Sequence, residues 1–213
     1  MNPGSKAFKM SRDTREGPYP EHPLPFSRAV YRGNLMIQTG ADLRKRISEM
    51  VETLRKTRRP SRNALLSAAQ SVLDWKQEHG AAGLWDPPPL MVTATMDDGW
   101  GHGLEVIHRY GEVAGLSIVR LGLLRTADEI IRACTDLRPD ILGLTVLQFD
   151  TVDTLAEIRR RIPGETRIVA GGPIFGADPD LAPGAGIDFV ATDAVAFIEY
   201  LLRFQPARPS WTN

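Results

Sequence analysis

At 213 residues with 42% hydrophobic side chains, the chain is large enough for one ordinary domain plus an accessory segment and apolar enough to bury a core, which excludes a disordered or fibrous protein. Its 26 Lys and Arg cancel its 26 Asp and Glu, so no whole-molecule field draws it to nucleic acid or to an anionic membrane. The single cysteine, Cys134, excludes an internal disulfide and reads as a small buried apolar residue; with no leader layout and no membrane-length apolar run, a cytoplasmic protein is expected.

Residues 1–40 are expected to be an extended or disordered lead, because Pro3, Pro18, Pro20, Pro23 and Pro25 stand among charged residues in its first part. A helical accessory segment is expected over 41–85. Leu43, Ile47, Met50, Val51 and Leu54 share one helical face, Pro60 interrupts, and Ser61 to His79 carries Leu65, Ala68, Ala69, Val72 and Trp75 before Gly80 closes a second helix. The two helices pair as a hairpin. Asp86-Pro87-Pro88-Pro89 then forbids helix and reads as a stiff linker at a domain boundary.

From there the period changes. Strands are predicted at Leu90 to Thr95, Ser117 to Leu121, Ile141 to Val146, Arg167 to Ala170 and Phe189 to Ala191. Helices are predicted at His102 to Ala114, Ala127 to Leu137, Val152 to Ile162 and Ala194 to Leu202. Strands separated by such helices are βαβ units with right-handed crossovers, so residues 89–204 are expected to form an α/β domain with a flavodoxin-like, Rossmann-like five-stranded parallel sheet in the order 2-1-3-4-5; residues 205–213 are a tail. Open sheets of this class bind ligands beyond the carboxyl ends of their strands, where the strand order switches.

Three loops fall there. The first reads Met96-Asp97-Asp98-Gly99-Trp100-Gly101-His102-Gly103, the second Thr145-Val146-Leu147-Gln148-Phe149-Asp150-Thr151, and the third Val169-Ala170-Gly171-Gly172-Pro173-Ile174. Glycines allow close backbone approach to a ligand, and a helix N-terminus offers free N–H groups. Taken alone, the first loop would equally suit a nucleotide or flavin. With Gly186-Ile187-Asp188-Phe189-Val190-Ala191-Thr192-Asp193-Ala194 near the end, however, the layout resembles the cobalamin-binding domain family of methionine synthase, corrinoid methyl carriers and carbon-skeleton mutases. That family shows DxHxxG after strand one, an SxL segment after strand three, GG after strand four, and a closing GADxYAxDA. Asp98 and Gly103 match the ends of the first motif. Thr145 and Leu147 match the second with Thr for Ser, Gly171 and Gly172 the third, and Asp188, Ala191, Asp193 and Ala194 the last.

The resemblance implies a cobalamin whose nucleotide tail threads between sheet and helices, with the corrin ring on the carboxyl ends of the strands. Gly171 and Gly172, followed by Pro173, would leave room for the tail, and the Thr145 hydroxyl would hydrogen-bond its base. Asp98, Gly99, Gly101, Gly103, Leu147 and Asp193 complete the expected cofactor-binding set. The departure is Trp100, which replaces the family's cobalt-ligating histidine; the indole nitrogen is a donor without an available lone pair. Three outcomes are open: a cobalamin without a protein ligand below, resting on the indole as in certain radical enzymes; a register shift that brings His102 to the metal; or a pocket turned over to another tetrapyrrole such as haem.

His108 reads as a surface residue of the helix that His102 opens. In resembling proteins a preceding helical domain folds over the upper corrin face, so Glu78-His79 is a candidate cap with His79 as a possible ligand, beside the plainer reading of a polar helix end. Trp75 and Trp85 read as core, with an apolar lid as the alternative. The basic run of Arg44, Lys45, Arg46, Arg55, Lys56, Arg58, Arg59 and Arg62 is interleaved with Glu49 and Glu52 and reads as a solvated or protein-binding face rather than a nucleic-acid site. No catalytic constellation stands out. The expected function is therefore a cobalamin-binding carrier or accessory protein serving a partner methyltransferase, mutase or radical enzyme, with a homo-oligomer left open; the alternatives are a cobalamin- or haem-binding sensor or antirepressor acting on a regulator protein, and a degenerate scaffold without tetrapyrrole.

Overall fold

The computed structural model describes residues 26–97, 102–148 and 152–207. Strands β1 (Leu90–Thr95), β2 (Ser117–Gly122), β3 (Ile141–Thr145), β4 (Arg167–Gly171) and β5 (Phe189–Val190) form one parallel sheet in the order β2-β1-β3-β4-β5. This is the flavodoxin-like order read from the sequence. Successive strands are joined through helices α3 (His102–Ala114), α4 (Ala127–Leu137) and α5 (Val152–Arg161), and α8 (Ala194–Arg203) follows the last strand. Two four-residue helices, α6 (Ile174–Ala177) and α7 (Leu181–Gly184), lie between β4 and β5. They were not anticipated, because a single turn broken by Pro173, Pro179 and Pro183 carries no periodic signal.

The helices end where local chemistry ends them. In α4 the Thr126 hydroxyl accepts from Glu129 N at 3.3 Å while the Glu129 carboxylate accepts from Thr126 N at 2.9 Å, a reciprocal cap. In α8 the Asp193 carboxylate accepts from Ala196 N at 2.6 Å. Ahead of the sheet lie α1 (Phe26–Lys56) and α2 (Arg62–His79), the latter opened by Ser61 and closed by Gly80 in the left-handed region at φ 62°.

Helix α1 begins inside the stretch expected to be an extended lead, so residues 26–40 are helical. The physical reason is that no proline occurs between Phe26 and Pro60, so nothing in that stretch breaks a helix. Residues 1–25 and 208–213 lie outside the described residues.

Alternation along each strand divides the core in two. Val92, Ala94, Leu142, Leu144, Ile168 and Ala170 face α4 and α5, where they meet Ile130, Cys134, Leu155 and Ile158. Cys134 is fully buried, and burial pushes its thiol up to about 12, so it packs as an apolar group. The opposite face carries Met91, Ile141 and Val169 against Tyr110, Val113, Phe197, Ile198 and Leu201 of α3 and α8. Leu43, Ile47, Leu54, Ala69 and Val72 of α1 and α2 join this same cluster. The helical hairpin thus forms an outer layer on α3 and α8, with a core continuous with that of the sheet. At about 25 cal/mol per Å² of buried apolar surface, peeling it away would expose a large share of that core.

Candidate functional site

The carboxyl ends of the strands open into a cavity of about 560 Å³ whose floor follows from sheet register. Thr95 stands beside Thr145, and Thr145 beside Gly171, so a row of small residues crosses three adjacent strands. Gly172, Ala191 and Asp193 continue the lining, Gly103, Leu104 and Ile107 of α3 form one wall, and Arg62 and Leu65 of α2 reach its mouth. A narrower chamber of about 50 Å³ extends inward between the sheet and α3 and shares Thr145, Gly171, Leu104 and Ile107 with the outer cavity.

Two devices hold the loops. Asp97 is 5% exposed, and its carboxylate accepts from Leu147 N at 2.7 Å, tying the loop after β1 to the loop after β3. Between β3 and β4, Val146 N donates to Gly171 O at 2.9 Å, and Gly172 crosses directly over Val146 at φ 141°. A Cβ at Gly172 would lie 1.8 Å from Val146 O, and one at Gly171 would lie 3.1 Å from Ala191 O. Glycine is therefore required at 172 both for close backbone approach and for the sign of φ.

At the rim, Arg55 of α1 donates to Asp193 at 3.0 Å and to both Glu199 oxygens at 3.0 and 2.8 Å. This holds the Glu199 carboxyl below the usual carboxylate range, through the Arg55 hydrogen bond first. Arg62 pairs with Glu105, and Arg44 donates to Leu202 O. Three members of the basic run are thus committed within the chain.

Of the residues singled out from sequence, the structure brings Gly103, Thr145, Leu147, Gly171, Gly172 and Asp193 together around the cavity. Pro173 sits behind them as the N-cap of α6. Asp98, Gly99, Trp100 and Gly101 lie outside the described residues, as does the His102 side chain, so the altered motif is not described. His79 stands apart from the cavity. It closes α2, whose opposite end reaches the mouth, about 25 Å away at 1.5 Å per residue. Its ring stacks on Trp75 at 4.5 Å, and its Nδ1 lies 2.9 Å from Trp75 O. The hairpin lies on α3 and α8. Trp75 and Trp85 pack against the core, the latter with Nε1 donating to Phe204 O at 3.3 Å.

His108 corrects its surface assignment. It is 8% exposed and lies with Nε2 2.9 Å from the buried Thr93 hydroxyl. An amphipathic helix with a histidine on its inner face looks, in sequence, like one with a histidine on its rim. Thr93, Thr95 and Asp97 were also missed as site residues. Their signal was present, since threonines at alternate positions of the otherwise apolar strand Leu90–Thr95 mark polar groups on one buried face.

The cavity can be tested against a corrinoid tail on its own chemistry. Thr95 is 1% exposed, lines the cavity, and its Oγ1 has no hydrogen-bond partner among the described residues. A buried hydroxyl left unpaired costs about 1–3 kcal/mol, and a polar ligand atom would recover that. Gly171 and Gly172 bring backbone without side chains to the cavity lining, and the walls contributed by Leu65, Leu104, Val106 and Ile107 are apolar. A nucleotide tail with a flat base and a few polar atoms fits such a lining.

No curated protein matches the chain in sequence. Among solved structures it is similar to a cobalamin-binding protein from Desulfitobacterium hafniense, at 15% identity and a TM-score of 0.63, over 83% of this chain and 91% of that one. That coverage takes in part of the preceding helices as well as the α/β domain. It is also similar, at 14% identity and a TM-score of 0.49, to the monomethylamine corrinoid protein of Methanosarcina barkeri over 62% of each chain. The profile of the B12 binding domain matches residues 91–199. That span is just over half of the sequence and contains all five strands but the first residue of β1, and the chain belongs to the B12 binding domain family.

Proposed function

We propose that the protein is a corrinoid carrier or accessory protein that presents cobalamin to a partner methyltransferase, mutase or radical enzyme. The reading rests above all on the Thr95 hydroxyl, unpaired among the described residues, in a cavity floored by Thr145, Gly171 and Gly172. These residues would hold the nucleotide tail, with Thr95 and Thr145 supplying hydrogen bonds and Leu104 and Ile107 covering the base. When bound, a corrinoid supplies methyl transfer or radical chemistry that no side chain can provide; the protein contributes binding, access and exclusion of water. Because Trp100 occupies the family's ligating position, the tail rather than a protein–cobalt bond would carry most of the affinity. The family match speaks for a corrinoid and not for haem. Among the described residues no helix is long and apolar enough to cross a membrane, so the partner would be met without a spanning anchor in this part of the chain.

A second reading has one observation in its favour. Helix α2 contributes Arg62 and Leu65 to the cavity, and α1 grips Asp193 through Arg55, so an occupant would touch the helical layer directly. In a sensor, that contact would pass occupancy to a regulator protein. Titration of apoprotein with hydroxocobalamin, methylcobalamin, adenosylcobalamin and haemin, followed by visible spectra and gel filtration in dark and light, separates the readings. A carrier binds the cobalamins without a change in oligomeric state. A light-dependent change of the adenosyl complex identifies a sensor, and no spectral change with any compound refutes both. Loss of a ligated spectrum in His102→Ala would assign that residue to the metal; an unaltered base-off spectrum would reject it.

A further inference from the structure

The inner chamber is walled mostly by carbon, with Thr93 and Thr145 as its polar side chains. Met91, Leu104, Ile107, Val169 and Phe197 line it, and Thr93 completes the wall. Thr93 faces Gly143 across the sheet. A Cβ at Gly143 would lie 2.3 Å from Met91 Cε and 3.4 Å from Thr93 Cγ2, so the Met91 and Thr93 methyls both cover the glycine and the threonine turns its methyl to that side. The hydroxyl is turned the other way, 2.9 Å from His108 Nε2. Both residues are more than nine-tenths buried, at 1% and 8% exposure. Burial keeps the His108 imidazole pKa low, so the ring is a neutral hydrogen-bonding partner rather than a cation. Without it, the Thr93 hydroxyl would be an unpaired buried polar group whose nearest free space is the chamber.

We propose that His108 is a specificity-determining positioning residue: by engaging the Thr93 hydroxyl it presents only the Thr93 methyl to the chamber, so the site selects corrinoids whose lower base ends in an apolar edge over those whose base ends in a polar group. This rests on the corrinoid reading above. The chamber of about 50 Å³ is small, and apart from the Thr145 hydroxyl, where it joins the outer cavity, it offers no free side-chain partner to an amino or hydroxyl substituent. A dimethylbenzimidazole base has a methyl edge; a hydroxybenzimidazole or an adenine carries a polar group that would be stranded there.

The test compares apoprotein affinities for hydroxocobalamin and for the corresponding corrinoid with 5-hydroxybenzimidazole, by visible titration. The dimethyl form should bind about tenfold more tightly, the effect of burying one unpaired hydroxyl. His108→Leu should cut that preference to about threefold or less, chiefly by strengthening the hydroxy form, because the freed Thr93 hydroxyl turns into the chamber. Thr93→Val keeps the carbon wall and should keep the tenfold preference even if it lowers stability. Should His108→Leu fail to fold, Thr93→Ser, which retains the hydroxyl on His108 and lacks the methyl, should lower the preference by about threefold. Equal binding of the two corrinoids by the unaltered protein, or a tenfold preference surviving both His108→Leu and Thr93→Ser, overturns the inference and leaves the corrinoid reading standing. Failure of the unaltered protein to bind either compound overturns that reading as well.

Discussion

Replacing Gly172 by alanine tests whether the loop crossing that shapes the cavity is as tight as the structure describes. At φ 141° the residue occupies a region that L side chains rarely adopt, at a cost of about 1–3 kcal/mol. Its Cβ would lie 1.8 Å from Val146 O, whereas ordinary contact begins at 3.4 Å, and the obstacle is backbone that cannot rotate aside. The loops after β3 and β4 must part, and the hydrogen bond from Val146 N to Gly171 O is lost with them, for about 1 kcal/mol more. A total loss of about 2–4 kcal/mol is expected, a large fraction of the stability of an ordinary domain. Urea denaturation followed by circular dichroism measures it. Gly103 is the control, because a Cβ there meets nothing within 4 Å although the residue lines the same cavity. Gly103→Leu should change stability by less than about 1 kcal/mol and weaken cobalamin binding by more than about tenfold through occupation of the space. A Gly172→Ala protein with less than about 1 kcal/mol of destabilisation would refute the reasoning.

Two further outcomes follow from buried polar groups. Asp97→Ala strands Leu147 N and releases the loop after β3, so it should cost about 1–3 kcal/mol in urea denaturation; a loss within about 0.5 kcal/mol would mean the tie is not made. Burial first, and Arg120 second, push the His108 imidazole below its ordinary pKa of 6.5, with Glu112 opposing. The unfolded chain therefore takes up this proton before the folded one, and the contribution to stability is complete above about 6.5 and declines as pH falls from there through the folded value. Urea midpoints at pH 7.5 and 5.5 should differ more in the unaltered protein than in His108→Gln, and an equal difference in both would show that His108 does not carry the effect.

The α/β architecture was legible because its signals are local. Short apolar runs bounded by turn residues gave strand β1 as Leu90–Thr95 and helix α4 as Ala127–Leu137 at the residues where the structure has them. The site was legible in part, because Gly171, Gly172 and Thr145 occur in ordered motifs whose spacing the fold preserves. What escaped depends on contacts between distant segments. The start of α1 at Phe26 is unmarked by any capping pattern, and the docking of α1 and α2 on α3 and α8 is decided by apolar faces that the sequence does not assign to partners. His108 was misread for the same reason: whether a helical histidine meets water or Thr93 depends on how α3 rotates against β1, which its own periodicity does not set.

The central claim is that the cavity between the sheet and α3 takes the nucleotide tail of a corrinoid. Titration of the apoprotein with hydroxocobalamin and with cobinamide, which lacks the tail, tests it most directly. The account predicts a one-to-one cobalamin complex with a base-off spectrum and binding of cobinamide weaker by at least about tenfold. A base-on spectrum in the complex, or equal affinity for the two compounds, would contradict it.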